Sequence, residues 1–170
     1  NSTKNSVEQW SGERTMIDLN KVIKDYYYNP HTKGSNSIKA VLPAALNSSP
    51  FLQAKYGMAL QDINLNSKNF GENHIWLRIE NNEVINPYKM LPPLFEGWNE
   101  LELADTISEV DTISDGGAAL TAYAKLQYQD MTEIERTEIT IGLLKYCELD
   151  TLAMVMIYEH LKEICGNDNF

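Results

Sequence analysis

The sequence is short of the residues that build small or repetitive folds. Its 170 residues include two cysteines, Cys147 and Cys165. Neither sits in a CxxC pattern or has a histidine at ligand spacing, which excludes a disulfide framework and a written-out zinc site and makes a reducing, cytoplasmic setting the expectation. Nine glycines and six prolines are too few for a collagen-like or low-complexity chain. Long apolar runs are also missing. The longest, Leu152 to Tyr158, falls far below the ~20 residues that cross a bilayer, and no charged segment followed by an apolar one opens the chain, so neither a membrane span nor a signal peptide is expected. Basic residues are scarce, 14 Lys and Arg against 24 Asp and Glu for a net charge of −10. That balance argues against a protein that coats nucleic acid by bulk charge.

The charge is unevenly spread. Residues 1 to 40 carry Lys4, Arg14, Lys21, Lys24, Lys33 and Lys39 against four acids, whereas Glu96, Glu100, Glu102, Asp105, Glu109, Asp111 and Asp115 follow Phe95 with no cation among them. The acidic block reads first as a solvated loop or helix face, and second as a metal or basic-partner site. The length suits one globular domain or part of a larger one. A start at Asn1 instead of Met reads as a trimmed chain or the downstream part of something longer.

Apolar spacing predicts a mainly α chain with a small antiparallel β hairpin. Leu19, Ile23 and Tyr27 share one helical face with Asp18 placed to cap its start, and Asn29-Pro30 ends that helix. Ser37 precedes the apolar group Ile38, Val41 and Leu42 as an N-cap, with Pro43 either tolerated or marking a kink. A short helix follows Pro50. Residues 74–80 and 83–85 flank Asn81-Asn82, a pair suited to a tight hairpin turn. Pro87, Pro92 and Pro93 are expected to keep the chain irregular to about Gly97. Residues 118–127 form a further helix after Gly116-Gly117. Thr132 and Glu135 form a capping box for a last helix reaching about Ile164, long enough to expect a break near Gly142.

Several residues invite a chemical reading. Tyr146 and Asp150 lie four apart, on one face of the last helix with Ile139 and Leu143. A carboxylate flanked by apolar positions is partly desolvated and needs a cation or hydrogen bonds; from the pattern alone, a surface aspartate beside a core tyrosine is the plainer account. Lys33, Ser35, Ser37 and Lys39 gather at a helix start, where free N–H groups favour an anion such as a phosphate, although a turn at Gly34 with an ordinary cap explains them at least as well. Tyr26 to Tyr28 offer a ring for base stacking, with Tyr27 better suited to the core. His31, His74 and His160 share no ligand spacing and read as surface or internally satisfied groups. Trp10, Trp76 and Trp98 are packing candidates, and Cys147 is expected to be a buried thiol.

The blocks Lys33-Gly34-Ser35-Asn36-Ser37-Ile38-Lys39-Ala40-Val41-Leu42-Pro43 and Tyr146-Cys147-Glu148-Leu149-Asp150-Thr151-Leu152-Ala153-Met154, with Asp18-Leu19, Tyr26 to Tyr28 and Asp115-Gly116-Gly117, resemble a bacterial family of domains of unknown function. That family is similar to the DEDD 3′–5′ exonucleases, in their tyrosine form, of the ribonuclease H-like superfamily. The resemblance spans the chain except residues 47 to 73. It implies the helical C-terminal half of a ribonuclease H-like α/β domain. It further implies Asp150 as a carboxylate ligand of Mg2+ or Mn2+, Tyr146 as the residue orienting the nucleophilic water, and DNA or RNA as partner; Lys33, Ser35 and Lys39 are the candidate phosphate contacts from the helix start. The resembling enzymes open with an Asp-x-Glu strand and a second acidic motif. This chain has no Asp-x-Glu, so the isolated chain is expected to be inactive, its missing carboxylates either upstream or lost. The alternative is a non-catalytic helical module that binds protein or nucleic acid.

Overall fold

The computed structural model describes residues 16–95 and 113–166. Asp18 starts helix α1, Leu19–Tyr26, by accepting the backbone N–H of Lys21 at 3.2 Å, and Ile23 carries the buried side of that helix. The Asn29 side chain then caps a 3-10 turn, Pro30–Thr32. Lys33 and Gly34 follow with φ of 51° and 79°, reversing the chain; glycine takes the second of these left-handed positions without strain. Ser37 caps helix α2, Ile38–Ser48, by accepting the N–H of Lys39.

Helix α2 buries Val41, Leu42, Ala44, Ala45 and Leu46, covering more than one face, as a helix in the middle of a fold does. Pro43 lies inside it, and the Asn47 side chain donates to the Pro43 carbonyl at 2.9 Å. Helix α3, Pro50–Tyr56, begins at Ser49, whose hydroxyl accepts the N–H of Leu52. Strands β1, Ile79–Glu80, and β2, Glu83–Val84, pair antiparallel with Ile79 opposite Val84. Their turn uses Asn81 and Asn82 at φ of 50° and 67°, as a two-residue hairpin turn of this hand demands. The ladder is shorter than the sequence pattern suggested, and it is the only sheet among the described residues.

The proline-rich stretch is not wholly irregular. Asn86 caps a second 3-10 turn, Pro87–Met90, with the proline at its start, where the missing N–H costs nothing. Helix α4, Gly116–Tyr128, absorbs both glycines into its first turn behind the Asp115 cap. Helix α5, Glu133–Cys165, carries the expected capping box at Thr132 and ends at Gly166 with φ of 65°. It runs through Gly142 without the expected break. A Cβ at Gly142 would stand 2.3 Å from Leu94 Cδ2 and 3.3 Å from Ile113 Cδ1, so the missing side chain serves close packing and not bending.

Helix α2 packs against α3, α5 and β2, and α5 also receives α4 and the Pro87–Met90 turn. Leu42, Leu46, Leu149, Ala153 and Met156 form the fully buried centre. Trp76 is buried as expected, whereas Cys147 is exposed, contrary to the expectation of a buried thiol. The buried stripe of α5 runs through Tyr146, Leu149 and Ala153, and residue 147 lies about 100° around the helix from Tyr146. Among the described residues, no helix is long and apolar enough to cross a membrane. Trp10, Trp98 and the acidic residues Glu96 to Asp111 lie outside the described residues.

Candidate functional site

Tyr146 and Asp150 project from successive turns of α5 toward the Pro87–Met90 turn and the first turn of α2. The Tyr88 hydroxyl donates to Asp150 Oδ1 at 2.5 Å. The rings of Tyr88 and Tyr146 stand 6.0 Å apart, tilted by 51°. Lys39 reaches over both, its Nζ 4.6 Å from the Tyr88 ring centre and 4.8 Å from that of Tyr146. The same ammonium donates to the Ser114 carbonyl at 3.1 Å, tying the start of α2 to the segment that leads into α4. Gly116, the first residue of α4, lies close enough that an added Cβ would be 3.9 Å from the Tyr146 hydroxyl.

The electrostatics follow from this crowding. Burial pushes the Tyr146 phenol up to about 12, with the Asp150 charge and hydrogen bonding adding to it, so the phenol keeps its proton at neutral pH. Tyr88 is shifted upward more strongly, again by burial first and then by Asp150. Burial lowers the basicity of Lys39, while the charges of Asp150 and Asp115 act against that loss. Asp115, exposed at the α4 cap, is held below its ordinary value chiefly by the Ala118 N–H it accepts. Among the described residues neither Asp150 nor Lys39 makes an ion pair.

Three of the five site residues read from the sequence therefore meet: Asp150, Tyr146 and Lys39. The other two do not join them. Lys33 is the exposed left-handed residue after the first 3-10 turn, and the Ser35 hydroxyl oxygen accepts the N–H of Ser37 within the loop. Lys33 and Ser35 stay in the loop before α2. Lys39 lies in the first turn of α2, and its ammonium rests over the two tyrosine rings.

Tyr88 was not singled out by sequence reasoning. Asn86-Pro87 is a legible helix-start signal, yet nothing local says that the next side chain reaches across 62 positions to Asp150. Tyr26 and Tyr28 are exposed, and Tyr27 is half-buried. A second polar cluster lies at the far end of α5. There the Tyr27 hydroxyl meets His160 Nε2 at 3.2 Å, Asn29 donates to Tyr27 at 3.1 Å, and Ser49 donates to Glu163. His160 is therefore buried, with Nε2 partnered by Tyr27 and Nδ1 without a hydrogen bond.

Among the described residues no group of three or more His, Cys, Asp or Glu side chains could hold a metal ion. Asp150 supplies one hard oxygen donor, while two divalent cations take several oxygens each. The two-metal centre implied by the resemblance thus does not fit the described residues by themselves. Compared with known proteins, the chain matches no family model, no curated protein and no solved structure.

Proposed function

We propose that the chain is the helical C-terminal part of a ribonuclease H-like domain, within a metal-dependent 3′–5′ exonuclease-like protein that hydrolyses nucleic-acid phosphodiesters in the cytoplasm. The observation that supports this reading is the meeting of Asp150 and Tyr146, one turn apart, with the ammonium of Lys39, while among the described residues Asp150 makes no ion pair. A carboxylate without an ion-pair partner keeps its charge available. A phenol held protonated, with its O–H directed to Asp150, keeps an oxygen that can accept from a water. The Mg2+ or Mn2+ of such enzymes needs more carboxylates than the described residues gather around Asp150; among the described residues the chain's part falls to Asp150, Tyr146 and Lys39, and the isolated chain is inactive.

The test uses the complete gene product, with 5′-labelled single-stranded DNA and RNA in the presence of Mg2+ or Mn2+. Asp150→Asn should abolish digestion from the 3′ end while lowering thermal stability only modestly, with the fold retained. Tyr146→Phe should slow digestion less, because a water can still be held without the hydroxyl. Full activity of the Asp150→Asn protein refutes the assignment. One observation favours a second reading, a non-catalytic helical binding module: the Tyr88 hydroxyl already satisfies one Asp150 oxygen from within the chain. On that reading no cation-dependent digestion is seen, and Asp150→Asn acts on stability alone.

A further inference from the structure

Lys39 is held in an unusual way for a surface-derived lysine. It is half-buried, and burial without an ion pair is costly for an ammonium. Two carboxylates, Asp150 and Asp115, lie near enough to act on its charge, yet neither closes a salt bridge with it. What holds Nζ in place is the Ser114 carbonyl at 3.1 Å and the faces of the Tyr88 and Tyr146 rings at 4.6 and 4.8 Å. The same rings carry the hydroxyls that surround Asp150, so they act as spacers that keep the cation from collapsing onto the carboxylate. An ammonium has three N–H donors. One is spent on Ser114, and an aromatic face attracts the charge without consuming a donor in a fixed direction.

We propose that Lys39 is the phosphate anchor of the Asp150 site, with its unspent N–H groups directed to a non-bridging oxygen of a single-stranded nucleic-acid backbone. The proposal rests on the nuclease reading of Asp150 and Tyr146 and adds to it the group that binds substrate charge. Lysine suits this role as a compact point charge that can follow a moving oxygen. The position also explains why the cation is kept apart from both carboxylates. A closed ion pair would have to be broken before each encounter with phosphate, whereas an ammonium cradled by rings and one carbonyl is already desolvated and oriented.

The experiment measures binding of a short fluorescein-labelled single-stranded oligonucleotide to the full chain by anisotropy over a series of salt concentrations. Wild type, Lys39→Met, Lys39→Arg and Asp150→Asn are compared, with melting curves for each. A phosphate contact contributes about 0.7 to the slope of log affinity against log salt for single strands. Lys39→Met should bind several-fold more weakly on DNA and RNA alike, with a slope shallower by about that amount. Lys39→Arg, which keeps the charge, should restore the slope. A strut that merely pins Ser114 would lower the melting point of Lys39→Met without moving the slope. An unchanged slope in Lys39→Met overturns the proposal, as does a wild-type chain that binds no oligonucleotide. The two readings fail separately. If Lys39→Met loses slope while Asp150→Asn digests substrate normally in the complete protein, the anchor stands and the catalytic assignment falls. If Asp150→Asn abolishes digestion while Lys39→Met leaves the slope unchanged, only the anchor falls.

Discussion

The Tyr88 hydroxyl and the Asp150 carboxylate form the hydrogen bond on which the candidate site is built, and a double-mutant cycle can weigh it. Tyr88 is almost fully buried, so Tyr88→Phe removes one oxygen and keeps the ring, its packing and its contact with the Lys39 charge. A hydrogen bond to a charged acceptor contributes about 1.5–3 kcal/mol net. Asp150 is only half-buried, and water can take up part of the lost donation, so the lower part of that range applies and Tyr88→Phe should cost about 1.5 kcal/mol. Asp150→Asn keeps an oxygen that accepts from the phenol but removes the charge, which should lose about half of that bond. In the double variant no bond remains to be lost twice, and the two costs should fall short of additivity by about 0.7 kcal/mol or more, beyond the ~0.5 kcal/mol scatter of independent sites. Urea unfolding at neutral pH, followed by circular dichroism with an unchanged m value, measures each corner. Strict additivity would show that Tyr88 and Asp150 are not bonded in solution and would remove Tyr88 from the site.

Two further predictions concern parts of the fold away from that pair. Burial lowers the pKa of His160, outweighing the raising influence of the Glu163 carboxylate that faces its Nδ1 at 3.6 Å. The folded state therefore binds this proton less readily than the unfolded chain, whose histidine titrates near about 6.5. Stability should be intact above that pH and should fall as the pH drops through the lowered folded value; His160→Gln should flatten this acid limb in melting curves, and an unaltered limb would refute the assignment. Gly142→Ala, which in an open helix would stabilise by up to about 1 kcal/mol, should here lose about 1 kcal/mol on balance, because the new methyl displaces Leu94 and crowds Ile113. A raised unfolding midpoint would show that Leu94 does not pack over this turn.

The local sequence determined where the helices begin and how the hairpin turns. Asp18, Ser37 and Thr132 cap their helices as their side chains require, since a cap needs only an oxygen within two or three residues of a free N–H. Asn81-Asn82 takes the left-handed turn for a similarly local reason. The shared face of Tyr146 and Asp150 was legible because helical spacing is fixed by the backbone. What stands opposite that face was not. Lys39 could be read equally as part of the Lys33 to Ser37 loop, and only the packing of α2 on α5 and of the 114–116 segment beside them carried its ammonium away, to a carbonyl 75 positions distant. Tyr88 joined the site for the same reason, and Gly142, legible as the weakest point of a long helix, proved to be where Leu94 and Ile113 pack against it. The exposure of Cys147 was likewise settled by which stripe of α5 the other helices cover. Contacts of this kind depend on the sum of many weak packing terms spread over the whole chain, which no short window of sequence contains.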